Sequence, residues 1–274
     1  MLNRYLVKKF SVRCVANLTT FLILFFPVLN FNTSEAADEI IIGYFNLEPH
    51  IISDSTDKNP SGAAVEFFDK HIKPDLNVTV KWRYAPLKRI LHNIEIGKYD
   101  AGLLFGHKSE REKIAFYPRY PYGETRTCLL VMKNHPLKTV KSVEDILKYK
   151  IGHHLGAILT PFMRDERITY ENISGNDVVR RNLLKLQSGR IDAVYRPVCS
   201  SGIYIAGQIG LKEEVRSVYL PEHMEIYTIF SKKSPRGRIM LEKYNKAIEK
   251  IVTDSPSGDR IIKIYNEILE RYMK

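Results

Sequence analysis

The chain carries nearly the same five-residue phrase twice, at residues 97–101 (Gly-Lys-Tyr-Asp-Ala) and at residues 189–193 (Gly-Arg-Ile-Asp-Ala). Each copy follows an amphipathic stretch and leads into an apolar, strand-like run. A glycine at the end of a helix adopts the left-handed conformation without steric cost, so the chain can fold back as a strand against that helix. Two such units predict two similar α/β lobes, and we expect the functional site in the cleft between them.

Residues 1–36 have the layout of a secretory signal. A start with four Lys and Arg residues precedes an apolar run over residues 15–31, and Ser34 and Ala36 supply small residues at positions −3 and −1 of a cut after Ala36. We therefore predict export across a bacterial inner membrane and a periplasmic location. The alternative is an uncleaved membrane anchor, which is disfavoured because Pro27 interrupts a block that is short for a spanning helix.

The charge balance of the chain is basic, with 42 Lys and Arg against 31 Asp and Glu and a formal net charge of +11. The leader contributes four basic residues and one acid, so its removal leaves +8. This balance suits an anionic ligand or an anionic surface, with a merely solvated protein surface as the alternative. The absence of a polybasic run or a nucleic-acid motif argues against nucleic acid as a partner. We expect a monomer. Cys128 and Cys199 remain after the leader, and the sequence leaves open whether they pair.

Strands and helices alternate along the rest of the chain, which predicts parallel sheets with right-handed crossovers. Apolar stripes on the two C-terminal helices predict that these helices cover the first lobe. The predicted strands are 39–45, 78–84, 100–105, 127–133, 150–154, 168–173, 191–195 and 225–231. The predicted helices are 64–72, 86–97, 143–149, 160–164, one after residue 176, and the two at the C-terminus.

The order of these elements, the repeated phrase, and the run Ser109-Glu110-Arg111 with Phe116 behind it resemble the extracellular solute-binding proteins of family 3, the polar amino-acid uptake type. The resemblance covers essentially the whole chain after the leader. It implies a type II periplasmic binding fold: two lobes, each a mainly parallel sheet flanked by helices, joined by a hinge of two crossings. Lobe 1 would comprise residues 37–124 and 224–274, and lobe 2 residues 125–223.

The resemblance implies that a small ligand is captured between closing lobes for uptake by an ABC transporter. In that family the arginine at the position of Arg111 binds the ligand carboxylate, because a planar guanidinium donates two parallel hydrogen bonds. Gly106 would offer a backbone N–H group, and Ala157 would stand at a helix start that can receive an anion. The alternative for Arg111 is a surface arginine paired with Glu110 or Glu112.

Some positions depart from the family pattern. Pro197 occupies the place of the acid that binds a ligand ammonium group, so an ordinary zwitterionic amino acid is disfavoured. Tyr44 and Phe45 lie close enough to replace the family's stacking aromatic. We therefore expect a small anionic or carboxylate-bearing ligand, either amino-acid-like or an aromatic acid. Further candidate contacts are cationic or aromatic: Arg89, Arg196, Tyr195, Tyr122 and Trp82. For Arg89 the alternative is a solvated residue at a helix start, and for Trp82 it is a position in the core.

The sequence also bears on three other classes of function. The eight histidines show no pair at metal-binding spacing, so neither a metal nor a cofactor is predicted. A sensor module that docks on a membrane receptor would bind its ligand in the same way. The fold also occurs in periplasmic cyclohexadienyl dehydratases, which need a general acid, and Glu48, Glu66 and Glu124 are the candidates here. We predict a binding protein that is not an enzyme.

Overall fold

The structure is a computed structural model that describes residues 38–53, 59–155, 157–175, 177–253 and 258–274. The predicted leader and its cleavage position lie outside these residues. The strands are β1 (Asp38–Tyr44), β2 (Val78–Tyr84), β3 (Ala101–Gly106), β4 (Ala115–Phe116), β5 (Gly123–Met132), β6 (Lys150–His154), β7 (Thr169–Ile173), β8 (Ala193–Arg196) and β9 (Val215–Ser231). The α-helices are α1 (Ala63–His71), α2 (Lys73–Leu76), α3 (Leu87–Glu95), α4 (Val178–Gln187), α5 (Cys199–Gln208), α6 (Gly237–Val252) and α7 (Asp259–Met273).

The strands form one mixed sheet in the order β2-β1-β3-β9-β5-β8-β6-β7, with β4 also paired to β9. Strands β1, β2 and β3 run parallel, and so do β6, β7 and β8. We call the first set, with α1–α3, α6 and α7, the first half, and the second set, with α4 and α5, the second half. The predicted α/β architecture of parallel strands flanked by helices is confirmed.

A two-stranded antiparallel ribbon of β5 and β9 joins the halves into a single sheet. The 17-residue β9 pairs with β5 along one part and with β3 along the other, so no loop separates the two halves at this point. The predicted strands at 127–133 and 225–231 are therefore too short. Half-buried Glu222 and exposed His223 occupy the middle of the ribbon, and these polar residues conceal the strand pattern.

The repeated phrase performs the same structural task in each half. Gly97 and Gly189 have positive φ angles of 78° and 70°, as the sequence predicts for residues that end α3 and α4. In the first half, Asp100 Oδ2 accepts the Ile41 N–H at 2.7 Å, and the Asp100 N–H donates back to the Ile41 carbonyl at 2.9 Å. Asp192 exchanges the same two hydrogen bonds with Lys150, at 2.7 and 2.9 Å. Each aspartate thus fastens the chain entering one strand to the neighbouring parallel strand.

Separate hydrophobic clusters fill the two halves. Met240 and Tyr265 of the C-terminal helices share one cluster with Ile40 and Ile42 of β1, which is the packing predicted from the apolar stripes of α6 and α7. Clusters of the second half lie around β6 and β8 and under α4 and α5. Among the described residues, no helix combines the length and the apolar content needed to cross a membrane.

Two helix predictions for the second half are wrong, and one helix was missed. Residues 143–149 and 160–164 form short 3₁₀ turns, Val143–Asp145 and Phe162–Arg164, in place of α-helices. Helix α5 was not predicted, because its first turns contain Ser200, Ser201 and Gly202 and give only a weak apolar stripe. The structure also joins Cys199, the first residue of α5, to Cys128 of β5 by a disulfide bond, with 5.5 Å between their Cα atoms.

Candidate functional site

The carboxyl ends of the parallel strands of the two halves meet. The loop after β1 carries His50, and the loop after β8 leads into α5, where Ser200 lies. His50 Nε2 and Ser200 Oγ form a hydrogen bond of 2.6 Å between the halves. Ligands of open α/β sheets bind outside the carboxyl ends of parallel strands, so this edge is the candidate site.

Arg111 stands at this edge on the short 3₁₀ turn Ser109–Lys113 that follows β3. Its side chain is 8% exposed, and Nη1 donates to the Gly106 carbonyl at 2.7 Å. The guanidinium carbon lies 5.5 Å from the centre of the Phe105 ring. No carboxylate of the described residues forms an ion pair with it, and Glu112 instead contacts His107 at 2.6 Å. The alternative of a surface arginine paired with a neighbouring glutamate is therefore wrong.

Arg196 is the last residue of β8 and is 6% exposed. Nη2 donates to Ser201 Oγ at 3.3 Å, whereas the buried Nε–H has no hydrogen-bond partner. Burial lowers the pKa of Arg196 to about 10. Within the described part of the chain, Arg196 also lacks a carboxylate ion-pair partner. A guanidinium has five N–H donors and no acceptor, so both arginines keep donors free for an anion.

Positive charge is concentrated on both sides of this edge. Burial lowers the pKa of Lys108, and Arg111 and Arg164 lower it further, while Glu110 acts in the opposite direction. Lys108 belongs to the first half and Arg164 to the second, so positive charges of both halves influence this edge. The pKa of His154 is lowered by burial and then by Arg196. An anion at this edge would meet several cationic groups.

Glu222 of the ribbon is a polar group that the sequence analysis missed. Its Oε1 accepts the Phe162 N–H at 3.0 Å, and its Oε2 is buried without a hydrogen-bond partner. The pKa of Tyr195 is raised by burial first and by Glu222 to a smaller extent, whereas Arg196 lowers it. The Tyr195 hydroxyl thus lies within electrostatic reach of both an arginine and a carboxylate.

Three predicted aromatic contacts lie in the core of the first half, which is where Trp82 was expected under its alternative interpretation. Tyr44 and Trp82 pack edge to face, with 6.1 Å between their ring centres. Tyr122 stacks on Phe67 at 5.3 Å and is 1% exposed. Phe45 is half-buried and contacts Phe105, the ring below Arg111.

The remaining candidates differ in what they can offer a ligand. Arg89 is exposed on α3, as expected for a solvated helix start. The Ala157 N–H donates to the His154 carbonyl at 2.9 Å, so it is already used. Gly106 pairs with Ile226 of β9 and its carbonyl accepts the hydrogen bond from Arg111, while the role of its N–H group stays a prediction. The Tyr195 hydroxyl accepts the Thr160 N–H at 3.3 Å. Arg111 and Arg196 are the two predicted residues that combine burial with free donors at this edge.

Two surface depressions are found on the described residues, and the smaller one borders the carboxyl end of β3, because it includes His107. A groove of about 510 Å³ beside α7 is lined by acidic residues, including Glu124, Asp259 and Glu267. A smaller one of about 250 Å³ is lined by His107, His223, Met224 and Glu225. Neither includes Arg111 or Arg196. Among the described residues, no group of three or more His, Cys, Asp or Glu side chains is arranged to bind a metal ion.

No protein-family model matches this chain, and no curated protein matches it in sequence. Solved structures do. A protein from a study of glutathione import by GshT and the cystine importer TcyBC of Streptococcus mutans is 16% identical, with a TM-score of 0.66 over 85% of this chain and 95% of that one. An ancestral arginine-binding protein bound to arginine is 22% identical, with a TM-score of 0.60 over 84% and 97%.

A histidine kinase sensor domain, described as similar to periplasmic binding proteins, is 14% identical, with a TM-score of 0.65 over 86% of this chain and 99% of that one. At these identities the likeness shows the fold alone. The chain therefore has the two-lobed fold of periplasmic binding proteins, as the resemblance implied.

Proposed function

We propose that this chain is a substrate-binding protein that captures a small anionic ligand between its first and second halves. The observation that carries the proposal is the pair Arg111 and Arg196, one in each half, both buried and both without a carboxylate partner in the described residues. A buried charge without a counter-charge is unfavourable by several kcal/mol in general. A ligand anion between the two guanidinium groups would remove that penalty.

The mechanism we propose is closure. The ligand docks on one half, and the other half completes the site, so a ligand that contacts both halves binds the closed form more tightly than the open form. Arg111 would hold the anionic group from the first half, and Arg196 would complete the pairing from the second. The lobe boundaries predicted from the sequence, near residues 124 and 223, lie on the ribbon.

The ligand we propose is amino-acid-like. Arg111 and Arg196 suit a carboxylate, because bidentate pairing is the strongest hydrogen bonding that an arginine makes. The buried Oε2 of Glu222 lacks a donor, and it favours a ligand that carries an N–H or ammonium group as well. This carboxylate could take the role that Pro197 cannot fill. Its position on the ribbon would explain why the family pattern did not reveal it.

The proposed setting is the periplasm, after removal of the predicted leader, with a membrane ABC importer as the partner. Structural neighbours include an amino acid ABC transporter substrate-binding protein of Streptococcus pneumoniae bound to L-arginine. The sensor-domain neighbour favours a second candidate, a ligand-binding module that docks on a membrane receptor. Both candidates share the same binding site and differ only in the partner.

An enzymatic role is not favoured by the three candidate acids. Glu66 binds Lys70 and Arg271, and these cations hold its pKa below the ordinary value, so it is ionised and unsuited to donate a proton. Glu124 is exposed beside α7, and Glu48 accepts a hydrogen bond from Asn46 at 3.2 Å. Incubation with prephenate, followed by a search for phenylpyruvate, tests the dehydratase alternative directly.

The test of the proposed function is a ligand screen followed by affinity measurements. A thermal-shift screen of amino acids, dicarboxylates, aromatic acids and short peptides would identify a ligand, and calorimetry would give its affinity. Arg111→Ala should weaken binding at least tenfold, because a charge-assisted hydrogen bond contributes about 1.5 to 3 kcal/mol. Arg190→Ala removes an exposed arginine of the second half and should leave affinity unchanged. Equal affinities in wild type and Arg111→Ala would refute the role of Arg111.

A further inference from the structure

The only side-chain hydrogen bond between the two halves at the candidate site, among the described residues, connects two firmly held groups. His50 Nε2 lies 2.6 Å from Ser200 Oγ, and His50 Nδ1 lies 2.5 Å from the Tyr265 hydroxyl. The imidazole is 1% exposed and lies nearly parallel to the Tyr265 ring. It therefore links the core of the first half to the start of α5.

Both ends of this contact are fixed by their own half. The His50 carbonyl accepts the Ala64 N–H at 2.8 Å, which ties the residue to the start of α1. Ser200 follows Cys199, whose disulfide to Cys128 ties the start of α5 to the ribbon. Neither residue can follow the other far if the halves separate, so the hydrogen bond belongs to the closed arrangement.

The same turn of α5 also bears on the ligand site. Ser201, the next residue, accepts the hydrogen bond from Arg196 Nη2. A contact that holds Ser200 against the first half therefore also holds Ser201, the hydrogen-bond partner of Arg196, in place. His50 thus acts on the proposed ligand through Ser200 and Arg196 and does not contact the ligand itself.

We propose that His50 is a positioning residue for closure: through Ser200 it holds the start of α5, and with it Arg196, against the first half. This inference rests on the proposed function, because closure matters only if the halves capture a ligand. Either neutral tautomer serves, since both partners are hydroxyl groups that can donate or accept. Loss of one such hydrogen bond should shift the ratio of closed to open molecules by about two- to tenfold.

The site also predicts how the imidazole titrates. Burial lowers the pKa of His50 to about 4, and Tyr265 of α7 is the titratable group in contact with the ring. If the halves separate, Nε2 loses Ser200 and meets water in the open cleft, so its pKa should rise toward the ordinary value of 6.5. A histidine that served only the core of the first half would keep its pKa whatever the second half does.

The test uses the full processed chain without any ligand. Histidine-detected ¹H–¹⁵N spectra would follow the His50 ring from pH 8 to pH 3.5, and small-angle scattering would give the radius of gyration. We compare wild type with Ser200→Ala, with Ser200→Thr, which keeps a hydroxyl, and with Ser188→Ala, an exposed serine of the second half. Because no ligand is needed, failure to find one would count against the proposed function and would not affect this result.

We expect Ser200→Ala to raise both the titration midpoint of His50 and the radius of gyration. Ser200→Thr should restore both, and Ser188→Ala should change neither. The inference is overturned if wild type and Ser200→Ala have the same His50 midpoint and the same radius of gyration. It is equally overturned if His50 already titrates near 6.5 in wild type. Should Ser200→Ala not fold, Ser200→Val, which has the shape of threonine without its hydroxyl, takes its place and is compared with Ser200→Thr.

Discussion

Replacing Arg196 by methionine should raise the stability of the unliganded protein and weaken ligand binding at the same time. Methionine keeps the long unbranched stem and removes the charge. Burial lowers the pKa of Arg196 to about 10, and this drop corresponds to a penalty of roughly 3 kcal/mol on the charged form. Removing the charge relieves this penalty.

The substitution also has a cost. The 3.3 Å hydrogen bond to Ser201 Oγ is lost, which offsets about 1 to 2 kcal/mol. The net expectation is a gain of about 1 to 2 kcal/mol in the free energy of unfolding. For a chain of this size that gain raises Tm by roughly 2 to 8 °C. An arginine with a purely structural role would give a change of the opposite sign.

Differential scanning calorimetry of the unliganded protein and titration calorimetry with the ligand found by the screen measure the two effects. Arg190→Met, at an exposed position of the second half, is the matched control and should change neither quantity. A lower Tm for Arg196→Met combined with an unchanged ligand affinity would show that the guanidinium supports the fold and does not await an anion.

Three further predictions concern stability. The disulfide between Cys128 and Cys199, which are 71 positions apart, closes a long loop, and its removal should reduce the free energy of unfolding by about 2 to 4 kcal/mol. Urea denaturation of the oxidised protein and of the double variant Cys128→Ser/Cys199→Ser measures this difference, and equal midpoints would contradict it. The pKa of His50 is about 4 in the folded protein against 6.5 in the unfolded chain, so the unfolded chain binds the proton first as pH falls. The free energy of unfolding should therefore decrease by up to about 3 kcal/mol between pH 6.5 and pH 4. Denaturation curves of His50→Gln should lack that part of the pH dependence. Gly237→Ala places a Cβ 1.8 Å from the Ser231 carbonyl oxygen and should destabilise the protein by about 1 to 3 kcal/mol, whereas Gly207→Ala, where the nearest atom is 3.9 Å away, should be neutral or stabilising; similar thermal midpoints for the two would refute the steric argument.

Much of the fold could be predicted because it is encoded locally. The Gly-x-x-Asp-Ala phrase specifies its local structure through two residues, because Gly97 takes the positive φ angle that ends the helix and Asp100 hydrogen-bonds the neighbouring strand. The spacing of apolar residues in α6 and α7 likewise indicated which face of each helix is buried. The ribbon was missed because its exposed residues satisfy no alternating pattern, and its pairing connects residues about a hundred positions apart in sequence.

The candidate site could be predicted only in part, for a related reason. Arg111 was identified through a family motif, and Arg196 through its place at the end of a strand. The sequence cannot tell a buried aromatic from one that faces a cleft, so Tyr44 and Tyr122 were placed at the ligand although they fill the core. Glu222 gains its importance from a contact between the ribbon and Phe162, and His50 gains its importance from a contact with Ser200 across the halves. No local sequence pattern indicates either partner.

The ribbon of β5 and β9 determines what kind of motion is available to the proposed binding protein. Two hydrogen-bonded strands cannot pivot about one or two residues, so the halves would separate by a change of twist that is spread over many peptide units. The pairing shifts register between Arg126 and Cys128, a place where a ribbon is locally more twisted and easier to bend. Cys128 then ties that bend to the start of α5. The two halves are thus connected by a bendable β-ribbon that a disulfide bond reinforces, and the stiffness of this ribbon would determine how far the halves separate.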